Sequence, residues 1–212
     1  MKAKKKAPVV TEPDRMTEIY NVAAQLICEK GFDATSMNDI ADEVGITKAG
    51  IYHYIEDKKS LLFGIMNFGM DRLETHVIRP ARAVADPEQR LRTIINNHAL
   101  LITSGNNARG HNPITILIEE LAGLNPAQRR KIEQRKRAYF DFLRETMTKL
   151  KTEGKLKEVD TTVAAFSLFG MLLWLSHWYR PNGRLKKEQV VEEITKIALG
   201  GLLRPTARLN RK

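Results

Sequence analysis

Cysteine is nearly absent from this 212-residue chain: Cys28 stands alone. A lone cysteine closes no intramolecular disulfide, which excludes a disulfide framework and fits a reducing compartment. No apolar segment follows the basic Met1–Ala7 stretch, so a signal peptide is not expected. The longest apolar run, Val163 to Leu175, reads as too short and too interrupted to span a bilayer. Catalytic signatures are missing as well. There is no His-Glu-x-x-His, no Cys-x-x-Cys, no P-loop and no dinucleotide fingerprint. The five histidines, His53, His76, His98, His111 and His177, are scattered, and none has a second histidine or a cysteine at i+3 or i+4. The expectation is a protein that is not an enzyme and holds no metal or cofactor. Paired β-runs joined by Asn-Gly or Asp-Gly are also lacking, since Asn182-Gly183 lies between helical patterns.

What the chain does contain is apolar residues enough for a core, 42%, and a large excess of positive charge, +10. The length allows one unit or two small ones. The charge is uneven. Residues 1–60 carry nine Lys and Arg against ten Asp and Glu, net −1, whereas residues 61–212 carry 26 against 15, net +11. Such a balance invites an anionic partner, although any single lysine or arginine also suits a solvated helix face.

Helix starts recur along the chain. Asp86-Pro87, Asn112-Pro113 and Asn125-Pro126 each place a capping side chain before a proline at the first helical position. Helices are expected at 14–30, 36–44, 47–55, 58–78, 87–104, 113–123, 126–153, 161–179 and 186–203. Ile19, Ala23, Leu26 and Ile27 share one face of the first, in which Cys28 reads as packing. The 126–153 helix turns Ile132, Tyr139, Phe142 or Leu143, and Leu150 inward beneath a dense Arg/Lys face. The 161–179 helix is apolar nearly all round, so it is expected to be buried on every side, with a second copy of the chain as the simplest cover. The fold class is all-α, with a homodimer through the last two helices. A membrane-surface helical protein is the rival reading, but that helix lacks a basic polar face.

The segment from Thr35 to Tyr54 carries the most chemistry. Ser36 can cap one short helix, whose inward face is Ile40, Ala41 and Val44. Gly45 supplies the positive φ of a tight turn, and Thr47 caps the next helix. Ile51 anchors that second helix, leaving Lys48, Ala49, Gly50, Tyr52 and His53 outward. Small residues at an exposed helix start add little stability, and Gly50 costs roughly 1 kcal/mol relative to alanine. They do let a helix enter a major groove about 12 Å wide.

The pattern Thr35-Ser-Met-x-Asp-Ile-Ala-x-x-Val-Gly-Ile-Thr-Lys-Ala-Gly-Ile-Tyr-His-Tyr-Ile-x-x-Lys-x-x-Leu61 resembles the tetracycline-repressor (TetR) family of bacterial one-component regulators. Ile55 stands where that family usually has Phe, another apolar anchor. The resemblance implies an N-terminal three-helix helix-turn-helix domain followed by a larger helical domain for ligand binding and dimerisation. Residues 1–12 would be a flexible basic arm, 13–73 the DNA-binding domain and 74–212 the effector-binding and dimerisation domain. By the same resemblance Thr35, Ser36, Tyr52 and Lys58 contact phosphates, and Thr47, Lys48, Ala49, Gly50 and His53 line the groove of double-stranded operator DNA.

Trp174-Leu-Ser-His-Trp-Tyr-Arg-Pro-Asn-Gly-Arg-Leu185 and Ala198-Leu-Gly-Gly-Leu202 are similar to the branch of that family controlling degradation of fatty acids, phenylacetate and steroid rings. That branch implies a coenzyme A (CoA) thioester as effector. Phe166, Phe169 and Met171 are candidates for an acyl slot. Cations from 129–137, Arg130 and Arg135 foremost, with Arg180 and Arg184, are candidates for the CoA phosphates. Tyr139, Trp174 and Trp178 are candidate stacking partners, and dimer packing explains the two tryptophans equally well. His177 reads as a satisfied buried histidine, and one of the pair Glu119-Glu120 as bonded to a neighbouring helix. The resulting expectation is a cytoplasmic, dimeric repressor released by an acyl-CoA thioester, the alternative being another hydrophobic or anionic effector.

Overall fold

Local capping chemistry sets the helix boundaries in the computed structural model, which describes residues 12–104, 114, 116, 117 and 123–205. The first helix, α1, spans Glu12–Lys30 and stops at Gly31, whose φ is 85°. Ser36 opens α2, Met37–Val44, through a capping box with Asp39. Gly45 then takes the left-handed conformation, φ 75°. Thr47 caps α3, Lys48–Tyr54, by accepting from the Gly50 N–H. Asp57 caps α4, Lys58–Leu73. This helix does not end at Ile78 but passes through a π-helical turn, Glu74–Ile78, into α5, Arg79–Arg82. Asp86 caps α6, Pro87–Thr103, and Asn125 caps α7, Pro126–Thr152. Asp160 caps α8, Thr161–Trp178, and α9 covers Lys187–Leu202.

Among the described residues there is no strand, only an isolated antiparallel bridge between Leu156 and Leu203. Of the expected helix at 113–123, Ile114, Ile116 and Leu117 are described and helical; its Asn112-Pro113 start, the Glu119-Glu120 pair, His111 and the Lys2–Lys6 arm lie outside the described residues.

Packing follows the apolar faces. Ile19, Ala23, Ile27, Ile40, Ala41 and Ile51 join Leu61, Leu62 and Ile65 to close the core of α1–α4. Gly64 is required there, because a Cβ would fall 2.6 Å from the Tyr20 hydroxyl. In the larger part, α6 is the hub, packed against α7, α8 and α9. Leu143, not Phe142, takes the fully buried place on α7; Phe142 is half-buried, with Arg82 and Arg90 over its ring.

The 161–179 helix departs from expectation. Val163 and Phe166 are each 63% exposed, Trp174 60% and Trp178 48%. Within one chain α8 is therefore buried on one side only, against α6 and α7. By length and composition its 18 residues suffice to cross a membrane, longer than the apolar run alone suggests. His177 is exposed rather than buried, and its ring stacks on Trp174 at 4.1 Å.

Candidate functional site

Two sites emerge, one on α2–α3 and one between the larger helices. On α2, the Ser36 side chain, together with the Ser36 N–H that donates to the Asp39 carboxylate at 2.8 Å, holds the Asp39 pKa below the usual carboxylate value. This leaves Ser36 exposed at a helix N-terminus, where backbone N–H groups suit a phosphate. On α3 only Ile51 is fully buried; Thr47, Lys48, Ala49, Tyr52 and His53 are exposed and Gly50 half-exposed. The helix thus presents one polar ridge held from below by one isoleucine.

Two of the residues expected at phosphates are engaged elsewhere. Thr35 is turned inward, 1% exposed, and its hydroxyl donates to the carbonyls of Gly31 and Leu26 at 2.9 and 3.3 Å. It ties the end of α1 to the start of α2 and presents no hydroxyl to a phosphate. Lys58 Nζ donates to the Asp33 carbonyl at 3.2 Å and sits 4.3 Å from the centre of the Phe32 ring. Tyr52 is 45% exposed.

The second site is a cavity of about 560 Å³ bounded by α4, α6, α7 and α8. Met70 and Leu73 come from α4, Phe166, Phe169 and Leu173 from α8, and Tyr139 and Phe140 from α7. The aromatic wall is ordered by ring contacts: Phe169 lies edge-on to Tyr139 at 5.1 Å, and Phe166 packs on Phe140 at 4.5 Å. Lys136, Arg137 and Arg144 also line it, with Asp141 between the two arginines at 3.9 and 3.2 Å. Lys136 Nζ donates to the Leu117 carbonyl at 2.8 Å, and partial burial lowers its pKa.

Of the eight residues expected at the effector, Tyr139 and Phe166 line this cavity. The other six do not. Arg135 reaches across to α4, binding Asp71 and Asn67. Arg130 and Arg184 are exposed, and Arg180 donates to the Tyr179 carbonyl. Trp174 and Trp178 lie on the outward face of α8. Met171 is also absent from the lining, whereas Phe169 is part of it. The reason is helical phase: neighbouring residues point about 100° apart, so Lys136 faces the cavity where Arg135 faces α4.

Sequence reasoning passed over His98. It is buried on α6, its Nδ1 lies 3.0 Å from the Tyr139 hydroxyl, and its Nε2 has no partner among the described residues. Burial lowers its pKa to about 4 and pushes that of Tyr139 up, so both are neutral at pH 7. A signal existed in the periodicity: His98 continues the core face formed by Leu91, Ile94, Ile95 and Ile102.

Comparison with known proteins decides the family. The profile of bacterial regulatory proteins, tetR family, matches residues 19–65, and that of the tetracyclin repressor-like C-terminal domain matches residues 84–202. The chain belongs to the TetR family. The KstR2 transcriptional repressor of Rhodococcus jostii is 25% identical over 203 residues, covering 90% of this chain and 92% of that one. The fatty acid metabolism regulator protein of Bacillus subtilis is 24% identical, covering 73% and 78%. The crystal structure of AibR in complex with isovaleryl coenzyme A and operator DNA matches at 40% identity and TM-score 0.77, over 86% of this chain and 97% of that one.

As a TetR-family protein the chain is a DNA-binding transcriptional regulator, not an enzyme. The exposed ridge of α3 is the part of this TetR fold suited to a major groove.

Proposed function

We propose that this chain is a dimeric repressor whose hold on operator DNA is released when a CoA thioester occupies the cavity between α4, α6, α7 and α8. The observation that carries the reading is the cavity itself: about 560 Å³ of largely apolar, aromatic-walled space with Lys136, Arg137 and Arg144 on its lining. That size falls in the usual range for ligand sites. Its apolar part suits an acyl chain, and its cations, net +2 after Asp141, suit a phosphorylated carrier. AibR, 40% identical, has been crystallised with such a thioester.

Residues 13–73 serve as the DNA reader and 74–212 as the effector and dimer part, with residues 1–12 a basic arm and the whole acting in the cytoplasm. Ser36 and Tyr52 set the register on phosphates. Thr47, Lys48, Ala49, Gly50 and His53 enter the groove. Two copies join through the outward faces of α8 and α9, where Val163, Phe166, Trp174, Trp178 and Ile197 are exposed. Gly170 leaves open space above its backbone, which suits close helix approach.

Release works through α4. Met70 and Leu73 on that helix line the cavity, and Asp71 between them is held by Arg135 of α7. A ligand that shifts α7 against α4 moves the helix bearing the DNA reader. Because half-sites recur at about 34–36 Å, a small change in reader separation loses contacts on one side.

A mobility-shift titration on the DNA upstream of the protein's own gene tests this, with CoA thioesters, the matching free acids and free CoA. Release by thioester alone is expected. Release by the free acids, or by none of the three, would sink the thioester reading.

A further inference from the structure

His98 and Tyr139 form a buried polar pair on the cavity lining, and we propose that His98 Nε2–H is a hydrogen-bond donor that reads the carbonyl oxygen of the effector. This rests on, and deepens, the thioester reading. The two rings come from α6 and α7, 41 residues apart in sequence, and both are covered by Phe169.

Which ring nitrogen carries the proton follows from the hydrogen-bond inventory. If Nδ1–H donated to Tyr139, the phenolic proton and the Nε2 lone pair would both lack partners. If the phenol donates to Nδ1, one group remains, Nε2–H. The second arrangement leaves fewer buried groups unsatisfied, and it sets the stronger acid against the better acceptor. Tyr139 therefore positions the imidazole and fixes its tautomer, as an outer partner does for a liganding histidine.

A buried N–H without a partner is disfavoured in an apolar surround, so it persists where something fills it. Met70, Leu73, Leu173 and the phenylalanines on the same lining have no acceptor to offer, and the carboxylate there, Asp141, is engaged by Arg137 and Arg144. The bound ligand must bring one. A thioester carbonyl is such an acceptor: neutral, and next to the acyl chain that the apolar wall receives. The burial that holds His98 neutral at pH 7 also matches a neutral acceptor rather than a carboxylate.

The test compares ligands that differ only at that atom. Isovaleryl-CoA and its thioether S-isopentyl-CoA form one pair; ethyl isovalerate and ethyl isopentyl ether form a second pair without CoA. Calorimetric titration of the full chain should give about a tenfold preference for the thioester over the thioether, the effect of one neutral hydrogen bond. His98→Leu should erase that preference while still binding the thioether, which itself demonstrates folding. His98→Gln, which retains an N–H, should restore part of it. Tyr139→Phe, which keeps the volume but frees the tautomer, should reduce it.

Equal binding of thioester and thioether by the wild type would overturn the inference and leave the CoA reading intact. So would an undiminished preference in His98→Leu and Tyr139→Phe. A carbonyl preference confined to the CoA-free pair, and lost in His98→Leu, would support the inference and defeat the CoA reading. Binding of neither pair would overturn both.

Discussion

Arg135 on α7 holds Asp71 on α4: its guanidinium donates to the carboxylate at 2.6 Å and to the carbonyl and side-chain oxygens of Asn67 at 3.3 and 3.2 Å. Asp71 lies between Met70 and Leu73, which line the cavity, and Arg135 precedes Lys136, which lines it too. The ion pair thus couples two helices at the wall of the effector site.

Because Asp71 is 68% exposed, the pair contributes less than about 1 kcal/mol to stability. Its effect should instead be on coupling. Arg135→Ala should fold and bind operator DNA normally, and bind isovaleryl-CoA normally, yet show at least about a fivefold smaller effect of that ligand on DNA affinity. Mobility shifts with and without ligand measure this. Unchanged release would remove the ion pair from the transmission.

At the DNA reader, phosphate and base contacts separate by specificity. Tyr52→Phe should weaken binding on all sequences alike. Lys48→Ala should weaken it and also alter which bases are preferred at one position of each half-site, by roughly 1–3 kcal/mol. A uniform loss on every sequence would remove Lys48 as a base reader. Lys58→Ala should lower the salt slope by about 1 per reader if its ammonium leaves Asp33 for a phosphate. An unchanged slope would leave it a structural lysine on the Phe32 ring.

Acid should destabilise the protein in two separate windows. A histidine whose folded pKa is lowered from 6.5 to about 4 stays neutral while the unfolded chain takes up a proton. Stability is therefore intact above pH 6.5 and falls as pH drops toward 4, by roughly 3 kcal/mol in all. Asp39, Asp57 and Asp86, whose carboxylates cap helices and titrate below their usual values, lose their contribution only at lower pH. Urea denaturation of wild type and His98→Leu between pH 7 and pH 4.5 should show a slope in the first and a nearly flat line in the second. Parallel curves would contradict a neutral, buried His98.

The outward face of α8 should control assembly. Trp174→Arg and Val163→Asp alter side chains 60% and 63% exposed in the single chain, so the fold of each chain should survive. Sedimentation should show monomers, and operator affinity should fall by orders of magnitude, because one reader contacts one half-site. A dimer that survives both changes would place the interface elsewhere.

Helix positions and the DNA reader were legible in the sequence because the signals are local. Ser36, Thr47, Asp57, Asp86, Asn125 and Asp160 bond N–H groups two or three residues away, and Gly45 meets the positive φ of the turn between α2 and α3. Ile51 inward with Lys48 and Tyr52 outward follows from the period of one helix. Local patterns could not say that α8 is covered on one side only. They also left Thr35 looking free, although its hydroxyl closes on Leu26, nine residues back.

The cavity was decided by tertiary structure. Its polar pair joins His98 to Tyr139 across two helices, and its cations are Lys136 and Arg137 rather than Arg135, one position away. On a helix as densely basic as 129–137, composition predicts that cations are present, while the rotation at which α7 docks on α4 and α6 selects which of them face the ligand. That rotation is set by the fit of side chains from distant segments, Met70, His98 and Phe169 among them. No window along the chain contains it.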